Sequence, residues 1–415
     1  MQNAYHAAPR SKSRPSRGRS FSGNNNRRGS FGGGNRRGGS RKPKGQYIDP
    51  IKFVKAAQPV EMIAYESKHQ FADFAVNDLI KANLAAKGYV TPSAIQDQAI
   101  PEVLSGRDVI GLANTGTGKT AAFAVPLFHA LMENPNAHAL VIAPTRELAQ
   151  QIEDECRSIA KGSGLRGALL IGGTPMKPQL RDLSARPRIV IGTPGRIKDH
   201  LQRGSLELND FTHIVLDEVD RMLDMGFLPD VQFILDSIQP EHQSLFFSAT
   251  MDARVSRLIE SFSRDPITIS VKSGDTSSNV HQDVVIYGSH HEKIEKLHDI
   301  LNKHEVEKVI IFDETQRNVE RLGNDLIERG FKADAIHGGK TQGQRQRALN
   351  RFKKSEVVVL VATDVAARGI DVSDITHVIN YAIPQTYDDY THRVGRAGRA
   401  GRTGYALTFV GRDSL

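Results

Sequence analysis

The stretch Arg107–Thr120, RDVIGLANTGTGKT, carries the clearest chemistry in the chain. Asp108–Leu112 is a short, apolar, β-branched run that reads as a buried strand. A glycine-punctuated turn follows, and Lys119-Thr120 opens an apolar segment of helical length. Strand, glycine loop, Gly-Lys-Thr and helix together make a phosphate-binding loop. Gly116 and Gly118 let the backbone close round an anion, because no Cβ intervenes. The loop N–H groups and the helix N-terminus turn partial positive charge toward phosphate. Lys119 can reach the β/γ-phosphates, and the Thr120 hydroxyl can sit on Mg²⁺. Ala113 stands where the pattern usually has its first glycine.

Phosphoryl chemistry also needs a metal and a positioned water. Asp217-Glu218 supplies two carboxylates at the end of the apolar run His213–Leu216. An Asp at a strand end can hold Mg²⁺ through water, and the adjacent Glu can orient and deprotonate the attacking water. The plainer reading of the pair is an acidic helix N-terminus favoured by the helix dipole. Ser248-Ala249-Thr250 ends another apolar run, Ser244–Phe247. Its two hydroxyls could relay hydrogen bonds from the carboxylates, although hydroxyls at strand ends are commonly turn caps. Residues 392–399 read HRVGRAGR. Arginines three apart share a face if that segment is helical. An arginine from a second domain would supply transition-state charge to a phosphate loop lacking one of its own.

Strands and helices must alternate to place these groups. Strand candidates are Ala139–Ala143, Ala168–Ile171, Arg188–Ile191, His213–Leu216 and Ser244–Phe247, with helices between them such as Arg146–Ala160. Val271–Gln282 is polar, holds a glycine and reads as a linker. Alternation then restarts with strands at Lys308–Phe312, Ala333–Ile336, Val357–Ala362, His377–Asn380 and Tyr405–Val410, and helices at Arg317–Arg329 and Gly343–Lys353. Alternation of this kind predicts α/β domains, each with a mostly parallel sheet covered by helices on both faces. The expected organisation is a tail over 1–48, a connector over 49–68, a first domain carrying the phosphate loop over 69–272, a linker over 273–282 and a second domain over 283–415.

Composition sets bounds on this reading. Hydrophobic content of 39% and charged content of 25% suit globular domains. No apolar run approaches a membrane span. The single cysteine, Cys156, excludes an internal disulfide and a Cys-rich metal site, and fits a reducing cytoplasm. Residues 1–45 hold nine Arg, three Lys and no acid, so they carry +12 and the rest of the chain −4 against a total of +8. That tail is rich in Gly, Ser and Asn, with Phe21 and Phe31 as its interior aromatics. It is expected to be disordered and to bind RNA with little sequence preference.

Taken together the motifs resemble the DEAD-box family of ATP-dependent RNA helicases, from about Phe71 to Val410. The stretches are Phe71 with GYVTPSAIQ (88–96), ANTGTGKT (113–120), PTRELA (144–149), GG (172–173), TPGR (193–196), DEVD (217–220), SAT (248–250), VIIFDET (309–315), HGGKTQGQR (337–345), ATDVAARGID (362–371) and HRVGRAGR (392–399). RMLDMGF (221–227) looks like the bacterial RhlE type. The resemblance implies two RecA-like domains closing on ATP, Mg²⁺ and single-stranded RNA. Phe71 would then stack on adenine and Gln96 would bond its edge. Thr115, Gly116, Thr117, Gly118, Lys119 and Thr120 would hold the triphosphate, with Thr120 and Asp217 organising Mg²⁺ and Glu218 acting on water. Gly369 and Asp371 would meet the nucleotide from the second domain, and Arg396 and Arg399 the γ-phosphate. His392 would bridge to the acidic box and to Ser248 and Thr250. RNA backbone contacts would fall on Pro144, Arg146, Gly172, Gly173, Thr193, Arg196, Gly338 and Thr363; contacts of this kind position RNA without reading its sequence.

Departures from the family pattern are Val219 in place of alanine, Ala397 in place of threonine, and an end at Leu415 where the family adds a helix. The last implies a weakened second domain or a sequence cut short. The expected function is local, non-processive separation of short RNA duplexes by a cytoplasmic monomer, with ribonucleoproteins as further partners. An ATP-gated RNA clamp or annealing chaperone is the alternative.

The charge distribution generates a first prediction. Deleting residues 1–45 should weaken RNA binding and flatten its salt dependence. Each phosphate neutralised on a single strand contributes about −0.7 to the slope of log K against log salt, so about four tail contacts correspond to roughly 3 units. RNA binding measured at several salt concentrations checks this; an unchanged slope would leave the tail a solubilising segment.

Overall fold

Near-continuous apolar runs mark strands buried on both faces, and the chain builds two parallel sheets from such runs. The computed structural model describes residues 48–57, 65–114, 116–239, 241–271, 279–367, 372, 374–398 and 402–414. The basic tail and the candidate residues Thr115, Gly369, Asp371 and Arg399 lie outside them. The first sheet comprises β1 (Val109–Ala113), β2 (His138–Ile142), β3 (Gly167–Leu170), β4 (Ile189–Gly192), β5 (Phe211–Asp217), β6 (Gln243–Ser248) and β7 (Ile267–Val271). Its order is β3-β4-β2-β5-β6-β1-β7. The second comprises β8 (Val280–Tyr287), β9 (Val309–Phe312), β10 (Ala333–Ile336), β11 (Val359–Ala362), β12 (His377–Asn380) and β13 (Gly404–Gly411), in the order β10-β11-β9-β12-β13-β8. These are two tandem RecA-like α/β domains with parallel sheets.

Alternate residues of each strand enter opposite cores. Ala139 and Val141 of β2 pack in one apolar cluster with Phe123 and Ile152, while Leu140 and Ile142 join another with Ile197 and Val231. Each buried aliphatic side chain contributes about 1.5–3 kcal/mol relative to exposure. The helices match this demand. Arg146–Ile159 starts at Thr145, whose hydroxyl accepts from the Leu148 N–H at 3.2 Å, and buries Leu148, Ile152, Cys156 and Ile159 on one face.

Two edge strands depart from the sequence expectation. β7 was not anticipated, and β8 starts inside the stretch read as a linker. Both alternate exposed polar residues with buried ones: Thr268 and Ser270 in β7, His281 and Asp283 in β8. An edge strand with one solvated face has this pattern, and a polar linker has a similar composition. Gln282 is buried where Lys55, in the described part of the 49–68 connector, pairs with it. Pro50–Phe53 forms a 3₁₀ turn capped by Asp49, and Phe53 lies in the second domain's core.

The strand order divides the first sheet in two. The carboxyl ends of β1, β5 and β6 form one group, and those of β2, β4 and β3 the other. Ligands of open parallel sheets bind beyond these ends.

Asp108 ties the base of this sheet together. Its carboxylate accepts the Ser244 N–H and the Arg264 N–H, both at 2.7 Å, and is buried. Asp108→Ala leaves two backbone donors without this partner and should destabilise the first domain by about 2–4 kcal/mol. Thermal unfolding should show that domain's transition at lower temperature.

Candidate active site

The phosphate loop follows β1, and among its described residues Gly116, with φ 82°, and Gly118, with φ 90°, are left-handed. The loop is held from behind. Gln96 accepts the Ser93 N–H at 2.8 Å and donates to the Gly118 carbonyl at 3.1 Å, and the Ser93 hydroxyl donates to the Thr117 carbonyl at 2.7 Å. A Cβ on Gly118 would collide with the Gln96 amide. Lys119 is buried and folds back to donate to the Ala113 carbonyl at 3.1 Å. Phe71 is buried edge-on to Phe74 and Tyr89, and the ring reaching the cleft wall is Tyr89.

Asp217 ends β5 and Glu218 turns the chain with φ 53°, a left-handed conformation unusual outside glycine. Both carboxylates are buried. Burial pushes Asp217 up to about 6, against the opposing charge of Lys119. Burial also raises Glu218, but Arg221, then Lys119, outweigh it and hold the group at about 2. Arg221, which sequence reasoning passed over, donates directly to Glu218. Asp217 accepts only its neighbour's N–H among the bonds described, at 2.9 Å. A buried carboxylate so placed, with Thr120 lining the same cavity, fits a hydrated divalent cation.

Ser248 and Thr250 do meet the acidic box, through its last residue. Asp220 accepts from the Thr250 hydroxyl at 3.1 Å and from the Ala249 and Thr250 N–H groups at 3.0 and 2.9 Å; its own N–H donates to the Ser248 hydroxyl at 3.3 Å. Asp220 was legible as the fourth letter of DEVD but had not been singled out.

The second domain reaches this cleft. Arg396 lines a cavity of about 440 Å³ together with Gly116, Lys119, Thr120, Asp217 and Glu218. His392 and Arg396 line a smaller adjoining space with Asp220 and Ala249. The helix Tyr387–Val394 stops before Arg396, so Arg393 and Arg396 do not share one helical face. Gly395 ends the helix, and Arg396 points from the turn. Arg393 stays in the helix and clamps it, pairing with both Asp364 oxygens at 2.6 and 2.7 Å and donating to the Ala382 carbonyl at 2.8 Å.

The residues expected at RNA gather at the other strand ends. Pro144 and Arg146 follow β2, Gly172 and Gly173 follow β3, and Thr193 and Arg196 follow β4. The Arg146 guanidinium lies over Gly172 and Gly173, where a Cβ on Gly173 would collide with it. Arg196 donates to the Thr174 carbonyl at 3.3 Å. Gly338 and Thr363 follow β10 and β11 in the second domain. Glu147, beside Arg146, spans the two domains: it accepts from Arg345 at 2.9 Å and from Gln342 at 3.2 Å. These three were inside recognised motifs, but only the tertiary structure pairs them.

Two RecA-like sheets facing one cleft, with a phosphate loop on one side and an arginine on the other, define a two-domain nucleoside triphosphatase. Comparison with known proteins narrows this. Residues 93–259 match the DEAD/DEAH box helicase domain, and residues 292–401 the helicase conserved C-terminal domain. The chain is 44% identical over 343 residues to the DEAD-box ATP-dependent RNA helicase CshA of Bacillus subtilis (strain 168), covering 82% of this chain and 69% of that protein. It is 41% identical over 342 residues to ATP-dependent RNA helicase CshA of Limosilactobacillus reuteri, with the same coverage. Among solved structures it resembles Mss116p bound to ssRNA and AMP-PNP, with TM-score 0.74, 29% identity and coverage of 84% of this chain and 76% of that one. Saccharomyces cerevisiae Dbp5 bound to RNA and ADP BeF3 has TM-score 0.72, 27% identity and coverage of 83% and 90%. The chain belongs to the DEAD-box helicase family.

The position of Gln96 generates a prediction. Gln96→Ala releases the loop and should weaken binding of every nucleoside triphosphate by about 1–2 kcal/mol, roughly tenfold in Kd. If the amide also reads adenine, the ATP:GTP ratio of kcat/KM should fall as well. Titrations with both nucleotides separate the two contributions.

Proposed function

We propose the following division of labour in this ATP-dependent RNA helicase. The strand ends of β1, β5 and β6 work on the nucleotide, and those of β2, β4 and β3 hold an RNA backbone. The observation that carries this reading is the entry of Arg396 into the cavity of Lys119, Asp217 and Glu218. Lys119 turns from the Ala113 carbonyl toward the β/γ-phosphates, and the loop N–H groups cradle them. Thr120 and Asp217 would hold Mg²⁺, which would supply Lewis-acid polarisation of a phosphoryl oxygen when bound. Glu218, kept ionised, accepts a hydrogen bond from the attacking water and aligns it. Arg396 meets charge developing on the γ-phosphoryl group, and Arg399 adds to it. Thr115, Thr117, Gly369 and Asp371 complete the nucleotide contacts, and adenine selection by Phe71 and Gln96 requires the Phe71 ring to leave its packing on Tyr89 and the Gln96 amide to exchange a loop bond for the base.

On the RNA side, Arg146, Arg196, Thr193 and the Gly172-Gly173 turn engage phosphates from the first domain. Gly338 and Thr363 engage them from the second. Closure of both halves on one strand bends it and displaces the complementary strand locally. His392 reports nucleotide state to Asp220, which holds Ser248 and Thr250. The motif RMLDMGF supports an RhlE-type assignment, and the single cysteine supports a reducing cytoplasm. The protein acts as a monomer on single strands and short duplexes, alone or on ribonucleoproteins.

Among the described residues no helix is long and apolar enough to cross a membrane. Glu218→Gln should retain ATP and RNA binding while kcat falls by about 10²–10⁴-fold. RNA-stimulated phosphate release, run beside a duplex-release assay with ATP and a non-hydrolysable analogue, tests the assignment. Turnover near wild type would remove Glu218 from the water site.

A further inference from the structure

The segment 48–57 precedes the first domain in sequence, yet it packs on the second. Phe53 is fully buried in the second domain's core, with its ring centroid 4.7 Å from that of Tyr390. Lys55 and Gln282 exchange backbone hydrogen bonds of 2.9 and 2.8 Å, so the arm adds an antiparallel bridge to edge strand β8. The Tyr390 hydroxyl donates to Gln282 Oε1 at 2.9 Å, closing a loop of contacts among arm, strand and helix. The arm lies outside the two helicase domain matches, 93–259 and 292–401.

Both contacts lead to the arginine turn. Tyr390 sits on the helix Tyr387–Val394, whose end launches Arg396. Val280, at the start of β8, presses on the turn beyond Arg396: a Cβ on Gly398 would lie 2.7 Å from Val280 Cγ2, and Gly398 adopts φ 68°. Val280, Phe53, Tyr390, Val394 and Ala397 share one apolar cluster. The arm therefore braces Arg396 from both sides, through Tyr390 before it and Val280 after it.

We infer that the 48–57 arm, through Phe53 and the Lys55–Gln282 bridge, is a positioning element that sets Arg396 for catalysis across the cleft. This rests on the role of Arg396 given above. Phe53 touches no substrate; it acts through Tyr390. Misplacing a catalytic group by about 1 Å can cost on the order of a hundredfold in rate, so modest loosening of this turn has a measurable effect. Most of the nucleotide contacts proposed above lie on the first domain, which the arm does not touch, so the loss should appear in kcat more than in KM.

The test uses the full chain with Phe53→Ala, Phe53→Leu, Lys55→Pro and Arg396→Ala. Lys55→Pro removes one backbone donor and leaves the core filled, so it loosens the arm without emptying it. RNA-stimulated ATPase at saturating RNA and thermal unfolding are measured for each. The expected result is a kcat about tenfold lower in Phe53→Ala and about threefold lower in Lys55→Pro, KM for ATP within about twofold, and most of the rate restored in Phe53→Leu. Wild-type kcat in both Phe53→Ala and Lys55→Pro, with Arg396→Ala inactive, overturns the inference and leaves the reading of the cleft intact. A loss in Phe53→Ala that tracks a lost second-domain transition, with Lys55→Pro at wild-type kcat, also overturns it, because Phe53 is then a folding residue only. An active Arg396→Ala removes the reading of the cleft itself.

Discussion

Two adjacent carboxylates, Asp217 and Glu218, are buried at the end of one strand, and the cleft is organised round that unfavourable arrangement. Removing ionised groups from water costs several kcal/mol each unless other charges compensate. Lys119 lowers both groups, and Arg221 holds Glu218 directly. Arg396 from the second domain also stabilises the ionised form of Glu218. Asp217 is still left with a raised pKa of about 6, which marks it as the group whose compensation is incomplete. A bound divalent cation would complete it. The same low-dielectric setting that makes these carboxylates costly strengthens every charge aimed at a reacting phosphate.

The second consequence is mechanical. Groups that face the phosphate cleft also touch structure that extends toward the other strand ends or the other domain. Gln96 holds the Gly118 carbonyl, so the loop cannot change shape without moving the Ser93 turn. Asp220 holds the Ser248–Thr250 turn while its neighbour Glu218 faces the cleft. Glu147 joins the helix that starts with Arg146 to Arg345 and Gln342 of the second domain. Breaking a buried pair by removing one partner leaves an uncompensated charge. Domain separation instead lets water reach both partners, which is how such a contact can be made and released in a cycle. Val219 fits this setting, because it is fully buried in the apolar cluster beneath the acidic box.

Much of this was present in the sequence because the decisive signals are local. A phosphate loop is a strand, a glycine turn and a helix in immediate succession, and each part leaves its own mark in residue type. Parallel strands covered on both faces are continuous apolar runs, so β1 to β6 and β9 to β13 could be placed within a few residues. The edge strands β7 and β8 could not, since their exposed face makes them polar at every second position.

What the sequence alone determined is therefore the set of chemical groups and the strand ends that carry them. Tertiary structure decided which of those groups meet. The pairing of Arg221 with Glu218, of Asp220 with Thr250 and of Glu147 with Arg345 depends on side-chain direction across turns or between domains. So does the displacement of Arg396 from the helix onto the turn beyond it. The placement of Phe53 is the clearest case. Nothing near residues 48–57 marks them as part of a domain that begins more than two hundred residues later in the chain. They join it because β8 leaves an edge and an apolar hollow beside Tyr390, and that hollow exists only once the second sheet has formed.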